Sequence, residues 1–148
     1  MIYLGADHRG FELKERLLKR LLDDGYKVTD LGNDHLDPQD DYVDFASSVA
    51  EAVVGDIGNR GIILCGSGAG VDMVANKIKG IRSALVFDVP RAIQAREHED
   101  ANVISLAADT LDDQHLYEIV KAFLKTEFNG EERHIRRLNE MKEVEEKH

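Results

Sequence analysis

Apolar residues along the chain follow two different periods. Short consecutive runs end at glycine or acidic turns: Met1 to Ala6, Tyr26 to Leu31, Gly61 to Cys65, Ser83 to Phe87 and Asn102 to Leu106. Runs of that length, bounded by turn residues, predict buried strands. Between them the apolar positions move to helical spacing. Phe11, Leu13, Leu17, Leu18, Leu21 and Leu22 predict a helix that Gly25 stops. Phe45, Val49, Ala52 and Val53 form the buried stripe of a second helix, over Tyr42 to Val54. Pro90 suits the first turn of a helix reaching about His98, and Leu111 to Phe128 predicts a longer one. Strands alternating with helices predict an α/β fold, with a five-stranded, mostly parallel sheet covered on both faces. In such a fold functional groups collect beyond the carboxyl ends of the strands. Asp7-His8, Gly32 to Asp41, Cys65 to Gly70 and Asp88 all fall there.

Two segments stand outside this alternation. Asp34 to Asp41 is polar, with Pro38 and four Asp, and is expected to cross the mouth of the site as a loop. Glu131 to His148 is strongly charged, with Ile135, Leu138, Met141 and Val144 as one apolar stripe on a helix. That stripe packs either on the parent domain or on a partner subunit.

The chain of 148 residues fits a single domain, 1–148, with its last helix at about 131–147. A hydrophobic fraction of 43% and a charged fraction of 32% describe a globular chain, and no apolar run reaches the length of a membrane span. The formal net charge of −10 speaks against nonspecific nucleic-acid binding, which needs a basic surface. Met1 to Ala6 is strand-like with no basic leader, so a cytoplasmic location is expected. The single cysteine excludes an internal disulfide and Cys-x-x-Cys chemistry.

That cysteine opens the densest glycine cluster, Cys65-Gly66-Ser67-Gly68-Ala69-Gly70, at a predicted strand-to-helix corner. Glycines there let the backbone turn and a ligand approach, and a helix N-terminus favours a thiolate or a bound anion. The competing reading is a small buried hydrophobe at a strand end. The loop does not spell a Walker-type phosphate loop, because Lys77 comes too late. It lacks the third glycine of a dinucleotide fingerprint, although Asp88 stands near the place of a ribose-binding acid. Val71 occupies the place where a cysteine phosphatase loop carries arginine. Asp7 and His8 are expected at the same mouth, with helix capping as the alternative for Asp7. His98 is a candidate acid or base. Arg133 and Arg137, spaced i, i+4, offer two guanidinium forks suited to phosphate, with surface salt bridges as the alternative.

Taken in order, Ala6-Asp7-His8, Asp41-Tyr42, Cys65-Gly66-Ser67-Gly68, Ala75-Asn76-Lys77, Gly80-Ile81-Arg82, His98, Asp100-Ala101-Asn102-Val103 and Arg133-His134 with Arg137 resemble the type B ribose-5-phosphate isomerase family, which includes galactose-6-phosphate isomerase subunits. The resemblance implies a three-layer α/β/α Rossmann-like sandwich and a homodimer or homotetramer whose active site lies at the subunit interface. It implies interconversion of an aldose phosphate and its ketose phosphate through an enediolate, with no metal and no cofactor. Cys65 then resembles the family's base, Ser67 a proton relay and His98 the residue that opens the furanose ring. Asp7, His8, Gly66, Gly68, Ala69, Gly70, Glu99, Arg133 and Arg137 line up with substrate binding.

Two positions depart from that pattern. Where the family usually carries Gly-x-Arg, this chain has Ala107-Ala108-Asp109, so a phosphate-binding cation has become an anion. Glu99 stands where the family has asparagine after the ring-opening histidine. If both face the pocket, each weakens phosphate binding by an estimated ~1 kcal/mol or more; Arg136 and Arg91 are the candidate compensating cations. The alternatives are an isomerase of another sugar phosphate such as a hexose 6-phosphate, a non-catalytic sugar-phosphate binder, and a dinucleotide-binding module.

Overall fold

The five apolar runs pair, in the computed structural model, which describes all 148 residues, into one sheet of order β2-β1-β3-β5-β4. The strands are β1 (Ile2–Ala6), β2 (Val28–Asp30), β3 (Arg60–Cys65), β4 (Ser83–Leu85) and β5 (Val103–Ala107). Every pairing is parallel, which sharpens the expected mostly parallel sheet. The outer strands β2 and β4 have three residues each, shorter than their apolar runs, because each finds a partner on one side only.

Six helices follow: α1 (Phe11–Asp23), α2 (Tyr42–Val53), α3 (Ala69–Ala75), α4 (Val89–Glu99), α5 (Asp113–Lys125) and α6 (Glu132–Lys147). Side-chain alternation on the strands sorts them into layers. Ile62, Leu64, Ile104 and Leu106 face one cluster with Leu13, Leu17 and Leu21 of α1, Ala92 and Ala95 of α4, and Leu116, Ile119, Val120 and Phe123 of α5. Ile63, Cys65 and Val103 face the other, with Ala46, Val49, Ala50 and Val53 of α2 and Val71 and Ala75 of α3. The result is the three-layer α/β/α sandwich.

Several boundaries shift for identifiable reasons. α5 begins at Asp113 rather than Leu111, because the Asp112 carboxylate accepts the His115 N–H at 2.8 Å and caps the helix. α3 starts at Ala69, directly out of the glycine loop, at the expected strand-to-helix corner. On α2 the buried stripe runs through Ala46 and Ala50 rather than Phe45 and Ala52, since alanines permit close approach to the sheet. Leu22 of the predicted α1 stripe is 49% exposed, whereas Lys14 is wholly buried. The Lys14 ammonium is matched by Asp30 at 2.7 Å, Glu15 at 3.0 Å and the Asn33 carbonyl at 2.7 Å. A buried cation with such partners is tolerated, and here it ties the end of β2 to the loop that follows. No helix is long and apolar enough to cross a membrane.

Candidate active site

β1, β3 and β5 lie side by side and end together, so the residues just beyond them share one rim. Asp7 N–H donates to the Leu64 carbonyl at 3.3 Å, Ala108 N–H to Cys65 at 2.9 Å and Asp109 N–H to Gly66 at 3.0 Å. These bonds carry the sheet pattern past the strands and fix the rim. A cavity of about 260 Å³ opens there, lined by Asp7, Arg9, Tyr42, Cys65, Gly66, Ser67 and Gly70.

Cys65 is buried at the floor, and its Sγ accepts the Gly68 N–H at 3.2 Å. That contact fixes the sulfur at the start of the glycine loop, facing the cavity. Gly68 holds φ of +75°, and a Cβ there would lie 2.6 Å from Leu85 Cδ1 and 3.0 Å from the Leu106 carbonyl carbon. Glycine is therefore needed for both the left-handed turn and the close passage against β5. Ser67 is exposed, and its Oγ accepts the Ala69 N–H at 3.2 Å.

Asp7 satisfies both sequence readings. Its Oδ1 accepts the N–H groups of Arg9 at 3.0 Å and Gly10 at 3.2 Å, shaping the turn into α1, while the residue also lines the cavity. His8 is held instead by the loop after β2. Its backbone N–H and its ring Nδ1 each lie 2.9 Å from Asp40 Oδ1, and Asn33 Nδ2 donates to Asp40 Oδ2 at 2.9 Å. The hydrogen bond to Asp40 pushes His8 above its ordinary value of 6.5, so Nδ1 carries the donated proton. Burial alone would raise the Asp40 carboxyl, but the His8 and Asn33 hydrogen bonds outweigh it and hold Asp40 below its ordinary 3.8. His8 thus braces the loop at the cavity's edge and is not among the lining residues.

The remaining predicted residues lie elsewhere. α4 leaves the carboxyl end of β4 and returns to the amino end of β5, so His98 and Glu99 in its last turn sit at the opposite edge of the sheet from Cys65. There the His98 ring stacks on that of His134, with centroids 4.4 Å apart. His134 is buried, and its Nδ1 lies 2.8 Å from Asn129 Oδ1. Glu99 is exposed. Arg133 and Arg137, beside His134 on α6, are exposed, and Arg133 Nε donates to Glu131 at 2.9 Å. The Cys65 group and the His98 group do not meet within one chain. Asp88 caps α4 by accepting the Arg91 N–H at 2.8 Å and does not line the Cys65 cavity.

Two cavity residues carried no role in the sequence reading. Tyr42 stands over Gly70, where an added Cβ would come within 2.8 Å of its ring. Arg9 crosses over Gly66, where a Cβ would come within 2.4 Å of the guanidinium carbon, and donates from Nη2 to Asp109. Asp109 is therefore answered by Arg9, not by Arg136, which faces Glu140, nor by Arg91, which bonds Gln94. The signal was Arg9 following Asp7-His8; its meaning needed the strand order β1-β3-β5, which places residues 9 and 109 on either side of residue 66.

This geometry has close parallels among known proteins. Residues 2–141 match the family model described as Ribose/Galactose Isomerase. Ribose-5-phosphate isomerase B of Mycobacterium tuberculosis is 40% identical over 147 residues, covering 99% of this chain and 91% of that protein. The crystal structure of ribose-5-phosphate isomerase B from Mycoplasma genitalium with bound ribulose-5-phosphate superposes with a TM-score of 0.93 at 39% identity, covering 99% of this chain and 97% of that one. The Clostridium thermocellum ribose-5-phosphate isomerase B gives 0.92 at 40% identity, with the same coverage. A match over nearly the whole length, on the same fold and with the thiol loop at the rim of the sheet, means that this chain belongs to the ribose/galactose isomerase family.

Proposed function

We propose that this protein interconverts ribose 5-phosphate and ribulose 5-phosphate in the cytoplasm, with Cys65 as the base. The observation that carries this reading is the buried Cys65 sulfur, held by a backbone N–H in a cavity with Asp7 and Tyr42. The Cys65 thiolate takes the proton from C2 of the open-chain aldose and returns it to C1, and the electron pair freed at C2 passes into the C1 carbonyl to form the enediolate. Backbone N–H groups of the Gly66 to Gly70 loop stabilise the developing oxyanion, and Ser67 moves a proton between the two sugar oxygens. The chemistry is a proton relay between adjacent carbons.

The residues at the other edge of the sheet enter from a second copy. His98 of one chain opens the furanose ring in the site of its neighbour, and Arg133 with Arg137 grips the phosphate. Three observations support a paired assembly: the separation of the two groups within one chain, the exposure of both arginines, and the exposed stripe of Ile135, Met141 and Val144 on α6. Such a stripe costs solvation unless a partner covers it.

The test is turnover of ribose 5-phosphate in heavy water. Formation of ribulose 5-phosphate, with solvent deuterium entering the sugar, is expected. Binding without exchange identifies a non-catalytic sugar-phosphate binder, and a preference for a hexose 6-phosphate reassigns the substrate.

A further inference from the structure

Arg9 is the one cationic side chain lining the Cys65 cavity. That cavity also holds the Asp7 carboxylate and the thiol that must lose a proton, in a chain of formal charge −10. A sugar phosphate brings further negative charge, and bringing it beside a carboxylate without a cation is unfavourable. We propose that Arg9 is the substrate's phosphate anchor within the Cys65 chain, and that Asp109 is a positioning residue that holds it across Gly66. This assignment rests on the sugar-phosphate reading above.

The geometry supplies the reasons. The bond from Nη2 to Asp109 is the only hydrogen bond the Arg9 side chain makes, so its Nε and Nη1 donors remain for a ligand. Nε and Nη1 lie 2.5 and 2.8 Å from where a Gly66 Cβ would stand, which places that edge of the fork directly above the residue after Cys65. The absence of a side chain on Gly66 is what lets the guanidinium lie there. Both partners are partly open to solvent, with side-chain exposures of 56% and 42%, so an entering phosphate can reach the fork without unfolding anything. The planar fork suits a phosphate's oxygens.

The experiment measures calorimetric affinity for ribose 5-phosphate and for inorganic phosphate. It compares the parent, Arg9→Ala, Arg16→Ala and the double variant Arg9→Ala/Asp109→Arg. Arg16 pairs with Asp113 outside the cavity and serves as the control. Arg9→Ala is expected to weaken both ligands by roughly tenfold or more, with the loss in turnover falling on KM more than on kcat, while Arg16→Ala leaves both affinities unchanged. The double variant recovers most of the affinity by supplying the cation from the other side of Gly66, which a purely structural ion pair would not do. A parent that binds and turns over ribose 5-phosphate with affinity unchanged in Arg9→Ala overturns this assignment alone. A parent that binds no sugar phosphate overturns it together with the isomerase reading.

Discussion

The carboxyl edge of the sheet and its amino edge hold two chemically different groups of candidate residues. At the carboxyl edge, Cys65, Asp7, Gly66 and Gly68 are buried and fixed by the ends of three adjacent strands. At the amino edge, His98 is only half-buried against His134, and Arg133 and Arg137 extend into solvent from α6. The difference teaches where precision is required. On the reading proposed above, proton transfer at carbon uses a base fixed by strand ends, while ring opening and phosphate capture use longer side chains that a neighbour brings.

Removing the rigid half is expected to have the largest effect. Cys65→Ala should lower kcat for ribose 5-phosphate by about a thousandfold or more, with melting temperature nearly unchanged. A rate within a few-fold of the parent would remove Cys65 as the base. The division between the two edges can be tested directly by refolding Cys65→Ala chains together with His98→Ala chains, each nearly inactive alone. Random pairing yields one intact site in half of the dimers, so about a quarter of parental activity should return. Activity that stays at the level of the single variants would place both residues in the same chain's site.

A smaller, structural effect separates the loop's shape from its chemistry. Gly68→Ala forces a non-glycine residue to a φ of +75° and drives a Cβ against Leu85 and the Leu106 backbone. It should cost about 2 kcal/mol of stability or more, read from denaturant unfolding. The smallest effect concerns the His8–Asp40 brace. Because His8 is raised above 6.5, its contribution is fully present below that pH and is lost as pH climbs through the raised value. Because Asp40 is lowered below 3.8, its contribution is present above that pH and is lost as pH falls through the depressed value. Asp40→Asn should return the His8 titration, followed by NMR, towards 6.5 and flatten the pH dependence of melting on the alkaline side. An unmoved His8 titration would show that the brace does not form in solution.

How much of this was legible in the chain differs from residue to residue. Ile62 to Cys65 declared a buried strand because four consecutive apolar residues before glycines can satisfy their backbone in few other ways. Asp112 and Gly25, which set helix ends, were local signals, although Leu111 drew the predicted start of α5 past the cap. Lys14 gave no sign of burial, since its partners Asp30 and Asn33 lie 16 and 19 residues away. The thiol loop, the histidines and the arginine pair were each recognisable by residue type and order.

The sequence by itself determined the α/β alternation, the site of the thiol loop and the candidate residues, because periodicity and glycine placement act over a few residues. Only the tertiary structure decided which of those candidates share a pocket. Strand order is settled by packing among distant segments, and it alone set Arg9 beside Asp109 over Gly66 while carrying His98 to the far edge of the sheet.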